Sequence, residues 1–224
     1  TAQIISHRKG LLMHKLYSTR VEAPITIDDC HNDFVSLNPQ GRLGDDERHD
    51  NNVAVHTVNR NILSPKFTTY IGTFNTRTLI DQNKRSELAH LFEMRGVHIL
   101  SIQEHRIIHI DEPIQITALT PKTYMLTSSA WRNTANAAVG GVGIVMTKNA
   151  YQTITEIKSI SPRILSVTFN GNPKCTVIST YSPTEAADEE TVKEFQSELS
   201  RSVNRLPQHN MVIIAGDLNA HLGR

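Results

Sequence analysis

Residues 211–219, Met-Val-Ile-Ile-Ala-Gly-Asp-Leu-Asn, constrain the fold more than any other stretch of the chain. A short apolar run without polar alternation reads as a strand buried on both faces. Strand-like runs recur upstream at 70–75, 97–104, 124–128, 140–146, 163–169 and 174–181. The last two flank Asn170-Gly171, a strong hairpin signal. Two amphipathic helices interleave with them. In 83–95, Leu88, Leu91 and Phe92 fall at i, i+3 and i+4, with Gly96 placed to cap the end in the left-handed conformation. In 189–206, Val192, Phe195, Leu199 and Val203 share a face, and Pro207 stops the helix. Buried strands, helices between them and a local antiparallel pair predict a layered α/β fold with mixed sheets.

Residues 1–65 have another character. Asp28-Asp29 and Asp45-Asp46-Glu47 are mixed with His, Asn and Arg, and there is little apolar periodicity. Leu11-Leu12-Met13 with Leu16 predicts one short helix, and Ile25 with Ile27 a short strand. The remainder reads as a poorly ordered N-terminal extension, with a small hairpin packed on the domain as the alternative. The folded domain is expected over 66–224.

Overall charge sets a limit on partners. The 224 residues carry a formal net charge of +1, so no strong global field draws the chain to nucleic acid. That argues against a basic binding module and leaves room for an enzyme with a local basic cleft. Two cysteines, Cys30 and Cys175, make no disulfide framework, which suits an intracellular setting. No stretch approaches the roughly 18 apolar residues needed to span a bilayer.

Polar residues follow the apolar runs. Asn75 ends the first, Gln103-Glu104 the second, Tyr181 the run before Ser182-Pro183, and Gly216-Asp217-Leu218-Asn219 the last. In open α/β sheets that rim is where ligands bind. Asp217 and Asn219 are two residues apart and would share a face on extended backbone. Each group has a bland reading: a turn-forming Asn, a solvated Glu, a packed Tyr, an Asx turn. Four such groups at the ends of four strands make a pattern. A carboxylate at a strand end can hold a hard divalent cation that keeps most of its water. An Asp can orient or deprotonate an attacking water, and an Asn can donate to a phosphate oxygen.

Thr73-Phe74-Asn75, Gln103-Glu104, Gly140-Gly141-Val142-Gly143-Ile144, Tyr181-Ser182-Pro183 and Gly216-Asp217-Leu218-Asn219 stand in an order that resembles the endonuclease/exonuclease/phosphatase superfamily. The nearest resemblance is to the endonuclease domain of LINE-type retrotransposons and to host proteins derived from them. It covers residues 66–224. It implies a four-layer α/β sandwich, with two packed mixed sheets flanked by helices and lacking the last strands. It further implies a DNA-nicking, Mg2+- or Mn2+-dependent phosphodiesterase. Glu104 is then the direct metal ligand with Asn75 beside it. Tyr181 contacts the phosphate region, Asp217 positions the water, and Asn219 supports the phosphate oxygens.

Arg77, Arg106, Arg132 and Arg163 are the candidate substrate contacts, with Lys84 a further basic group; for Arg163 the resemblance implies either a structural or a substrate-facing role. The implied partners are the DNA backbone and, in a longer parent protein, a reverse transcriptase domain; the implied compartment is the nucleus. Superfamily members carry a Ser-Asp-His-type motif beyond Gly-Asp-x-Asn, so this chain by itself is expected to be weak or inactive. His221 and His105 are poorly placed to replace that His. The competing readings are a phosphatase or phospholipid diesterase of the same superfamily, or a non-catalytic remnant that binds.

Overall fold

Alternating residues on the central strands decide which side chains meet between the two sheets. The computed structural model describes residues 68–219 and the backbone of 2–5. The helix expected at 11–16, the strand at Ile25 and Ile27, Cys30 and His221 lie outside the described residues. In chain order the elements are β1 (Ala2–Ile5), β2 (Ile71–Asn75), α1 (Gln82–Met94), β3 (Ile99–Gln103), β4 (Ile114–Ala118) and β5 (Thr123–Ser128). Then come β6 (Trp131–Arg132), β7 (Ala138–Val139), β8 (Val142–Thr147), α2 (Lys148–Gln152) and β9 (Ile154–Ser161). Last are β10 (Ile164–Phe169), β11 (Cys175–Tyr181), α3 (Glu189–Asn204) and β12 (Met211–Asp217).

The first sheet runs β1-β12-β11-β10-β9 and the second β2-β3-β8-β5-β4, with β6 and β7 as a separate ribbon. Both sheets are mixed. β11 and β12 pair in parallel, as do β2 and β3, and the other pairs are antiparallel. β1 covers one side of β12 and satisfies backbone groups that an edge would leave open.

Each sheet has one face toward the other sheet and one toward a helix. Ile99, Leu126, Ile144 and Met146 of the second sheet pack with Leu165, Val167, Phe169, Val177 and Ile213 of the first. On the outer faces, Leu88 and Phe92 of α1 cover Ile102, Met125 and Val145. Phe195 of α3, with Leu199 and Val203, covers Ile164, Ile178, Val212 and Ile214. The layers are thus helix, sheet, sheet, helix, as expected for the fold class.

Local chemistry sets the helix ends. Asp81 caps α1 by accepting from the Asn83 amide at 2.8 Å, and Asp188 caps α3 through the Thr191 amide at 2.7 Å. Gly96 takes φ +61, the left-handed cap expected of it. One helix assignment shifts: Leu91 is exposed at 43%, and Ala89 takes the buried position beside Leu88 and Phe92. Among the described residues, no helix is long and apolar enough to cross a membrane.

Candidate active site at the rim of the two sheets

Period-two alternation carries one set of side chains up the face between the sheets to a common edge. On β12, Ile213 lies in the core between the sheets, so Ala215 and Asp217 continue that face. Cys175 and Val177 on β11 lead in the same way to Ser179 and Tyr181, and Ile71 on β2 leads to Thr73 and Asn75. Parallel pairing sets Tyr181 opposite Asp217 and Asn75 opposite Gln103.

Glu104 arrives by a different route. Leu100 and Ile102 of β3 face α1, so an extended backbone would send Glu104 to that side as well. Instead Glu104 takes φ +56 and leaves the strand. Its carboxylate turns back onto the rim, where Asn75 Nδ2 donates to Oε1 at 2.7 Å. The same amide nitrogen lies 3.4 Å from Asp217 Oδ2. One carboxamide from the second sheet therefore ties together carboxylates from both sheets. Tyr181 donates to Glu104, and Arg106 Nη2 approaches Oε2 at 3.3 Å. Burial alone would raise the Glu104 pKa; the bonds from Asn75, Arg106 and Tyr181 outweigh it and hold the group below the usual carboxylate range. The Tyr181 hydroxyl moves up, first from burial and then from the negative charge of Glu104 and Asp217.

A buried polar ladder supports this rim. Thr73 Oγ1 donates to Gln103 Oε1 at 3.1 Å, and Gln103 Nε2 donates to Ser101 Oγ at 2.7 Å. Ser101 Oγ lies 2.7 Å from Ser179 Oγ and donates to the Ala215 carbonyl at 2.9 Å. The ladder joins β2, β3, β11 and β12 directly beneath Asn75, Glu104, Tyr181 and Asp217. A fully satisfied network of this kind resists sliding of one sheet on the other. Ser101 and Ser179 are not among the residues that the sequence singles out, and Thr73 stands there only as part of the Thr73-Phe74-Asn75 motif. Their signal was present: each lies two residues before a rim group or before Gln103.

The remaining candidates take other places. Asn219 adopts φ +43, so Asp217 and Asn219 do not share an extended face. The Asn219 amide donates to Asp217 Oδ1 at 3.0 Å and its Nδ2 to the Ser182 carbonyl at 2.8 Å, which makes it an Asx turn that fixes Asp217. Arg77 is exposed and meets the site only through its backbone amide, which donates to Asn75 Oδ1 at 3.0 Å. Arg132 is exposed on the β6–β7 ribbon and donates to the Asn136 carbonyl at 2.9 Å. Lys84 is exposed on α1. Arg163 is held between two aromatic rings, with its guanidinium carbon 4.5 Å from the Trp131 centroid and 5.6 Å from that of Tyr181.

His105 is fully buried under the rim and takes no part in it. Its Nδ1 accepts from the Ile107 amide at 3.0 Å, and Nε2 faces the Val142 carbonyl at 3.3 Å. Gly141, at φ +84, lies against the ring so closely that a Cβ there would sit 2.5 Å from Cε1. Burial, chiefly, pushes the His105 pKa down to about 4. The unfolded chain then binds a proton below about 6.5 that the folded chain refuses until about 4. Stability from this group is complete above pH 6.5 and is lost as the pH falls through 4, by up to about 3 kcal/mol. Urea unfolding at pH 7 and pH 4.5 is expected to show that loss in the wild type and a shallower pH slope in His105→Gln. Equal slopes would remove the assignment.

The donor set suits a hard divalent ion at Glu104. Two carboxylates converge, and such an ion needs few protein ligands because it retains water. Among the described residues, no group of three or more His, Cys, Asp or Glu side chains is gathered for a metal. Asn75 presents its NH2 to both carboxylates and its oxygen to the Arg77 amide. In this arrangement its NH2 aims the two carboxylates, and its oxygen keeps one lone pair beyond the Arg77 bond.

No family model matches the chain. Craniofacial development protein 2 of Bos taurus is 27% identical over 154 residues, which are 68% of this chain and 24% of that protein. The protein of the same name from Tragulus javanicus is 31% identical over 84 residues, 37% of this chain and 15% of its own length. The chain thus spans about a quarter or less of the curated relatives it matches. Among solved structures, an AP endonuclease from Archaeoglobus fulgidus aligns with TM-score 0.48 and 14% identity, covering 68% of this chain and 58% of that one. The AP endonuclease LMAP from Leishmania major gives TM-score 0.47 and 13% identity over 66% and 54% of the two chains. A 3'-5' exonuclease, NExo, from Neisseria meningitidis gives 0.46 and 15% over 66% and 57%.

Proposed function

We propose that this chain is a metal-dependent phosphodiester hydrolase, the DNA-nicking endonuclease domain of a LINE-type retrotransposon, carried in a longer parent protein with a reverse transcriptase. The observation that supports the chemistry is the Asn75 carboxamide, 2.7 Å from Glu104 and 3.4 Å from Asp217, which joins carboxylates from separate sheets at one rim. The order of the motifs around these residues supports phosphodiester chemistry, and the resemblance to LINE-type endonuclease domains makes DNA the proposed substrate.

Glu104 would hold Mg2+ or Mn2+ at its carboxylate. Bound there, the ion supplies Lewis-acid polarisation of a phosphoryl oxygen. The chain's own groups do the rest. Asn75 keeps Glu104 and Asp217 aimed at the same space. Asp217, held by the Asn219 turn, accepts a hydrogen bond from the attacking water and orients it toward phosphorus. Arg106, with Nη2 3.3 Å from Glu104 Oε2, balances negative charge gathered at the rim. Tyr181 holds one side of Glu104 through its hydroxyl.

Supercoiled plasmid incubated with the purified chain in Mg2+ tests this reading. Slow conversion to open circles is expected of this chain by itself, and it should vanish with a chelator. Asp217→Asn should slow nicking by about 10²–10⁴-fold, the usual loss for a group that handles the water. Nicking that is undiminished in Asp217→Asn would overturn the site. Phosphate release from a monoester, without nicking, would move the activity to a phosphatase.

A further inference from the structure

We propose that Arg163 is a positioning residue, clamped between the rings of Trp131 and Tyr181, and that the clamp fixes the Tyr181 hydroxyl on Glu104 in place of any contact with substrate. The inference rests on the hydrolase reading of the rim and takes the structural one of the two roles that the resemblance leaves open for Arg163.

Four separate pieces of chain build the clamp. Trp131 begins the β6–β7 ribbon. Gly140 follows that ribbon at φ +66 and lies against the indole, so closely that a Cβ there would sit 2.0 Å from Trp131 Cη2 and Cζ3. Arg163 occupies the tight turn between β9 and β10, and Tyr181 ends β11. The guanidinium carbon lies 4.5 Å from the Trp131 centroid and 5.6 Å from the Tyr181 centroid, both within cation–π range. Two hydrogen bonds lock the turn to the strand end. The Tyr181 amide donates to the Arg163 carbonyl at 2.9 Å, and Arg163 Nη1 donates to the Tyr181 carbonyl at 3.3 Å.

The geometry favours a role inside the protein over one at the phosphate. A phosphate contact by arginine uses a free, planar fork of N–H groups. The Arg163 fork is partly buried, flanked by rings, with Nη1 committed to a backbone carbonyl. Tyr181, by contrast, needs holding. Its hydroxyl is the donor to Glu104, and its ring is only partly covered at the end of a strand. A planar cation beside the ring restricts its rotation. It also offsets the two carboxylates that crowd the phenol.

The test uses the coupling between residues. Arg163→Gln and Tyr181→Phe are each expected to lower kcat by about 10–100-fold, the range for groups that orient a metal ligand. KM and the salt dependence of nicking should stay at wild-type values. In the Tyr181→Phe background, Arg163→Gln should cost nothing further. Trp131→Phe, which keeps an aromatic face, should retain most of the rate that Trp131→Leu loses. If Arg163 touched DNA, the two losses would multiply, KM would rise and the salt slope would fall.

Mn2+ binding without DNA repeats the test free of turnover. Both single variants should weaken it equally, and the double variant no more than either. Trp131 is the only tryptophan in the sequence, so its fluorescence reports the clamp itself. Arg163→Gln should shift the emission and open the indole to quencher. An unchanged spectrum, or additive losses in Mn2+ affinity, overturns the clamp. A wild-type chain that shows the coupling in Mn2+ affinity but nicks nothing leaves the clamp standing and removes the nuclease reading.

Discussion

Glu104→Gln is expected to abolish Mn2+ binding and to cost about 10³-fold in nicking rate. A bound cation contributes several kcal/mol of transition-state stabilisation, and each 1.4 kcal/mol is roughly a factor of ten. The substitution keeps the shape of the side chain and removes the charge. Asn75, Arg106 and Tyr181 all donate to the Glu104 carboxylate, which marks that charge as the centre of the rim. Those bonds also hold its pKa down, so the ionised form adds stability above the ordinary carboxylate pKa that fades as the pH falls toward the lowered value. Some stability is therefore lost with the charge. Cooperative urea unfolding of the variant would show that the fold survives, and a calorimetric Mn2+ titration then reads the site alone. Wild-type Mn2+ affinity in Glu104→Gln would place the ion elsewhere.

Phe169→Ala is expected to remove about 3–5 kcal/mol of unfolding free energy while leaving Mn2+ affinity at low temperature unchanged. Phe169 is completely buried in the core between the sheets. It ends β10 opposite Cys175, whereas the rim residue Tyr181 lies at the other end of β11. Truncation there leaves a cavity that strands paired on both sides cannot close. Domains are stable by about 5–15 kcal/mol, so the loss is a large share of the total. Chemical denaturation measures it directly. A loss under about 1 kcal/mol would mean that the two sheets are not packed as described.

The strands with apolar faces on both sides were legible because burial leaves a strong mark. β5, β8, β10, β11 and β12 all fall where their apolar runs predict. β4 and β9 left no such mark. Both are edge strands with no buried residue, and β9 carries two register shifts against β10 that break its alternation. The β6–β7 ribbon has two residues per strand, too short for any period. α2 is a helix of five residues, and its evident signal is Thr147, whose hydroxyl accepts from the Ala150 amide at 3.3 Å.

At the rim, strand ends were readable and side-chain directions only partly so. Asn75, Tyr181 and Asp217 follow alternation to the face between the sheets. Asn219 does not, because a left-handed residue closes an Asx turn there. The four arginines were the least legible, since a basic residue on a loop reads the same whatever it touches. Arg106 reaches Glu104, Arg163 reaches two rings, and Arg77 and Arg132 stay exposed.

Sequence alone determined that polar groups stand at the ends of buried strands, because apolar runs and their punctuation are local properties of the chain. It also determined the layered class, since such runs cannot be covered in fewer layers. Only tertiary structure decided that Glu104 joins Asn75 and Asp217. That meeting needs a positive φ at one residue and the packing of two sheets contributed by segments about 140 residues apart. Backbone turns of that kind are held by contacts made elsewhere, here the Thr76 amide on the Gln103 carbonyl and the Arg106 amide on the Gly140 carbonyl. No local pattern records them.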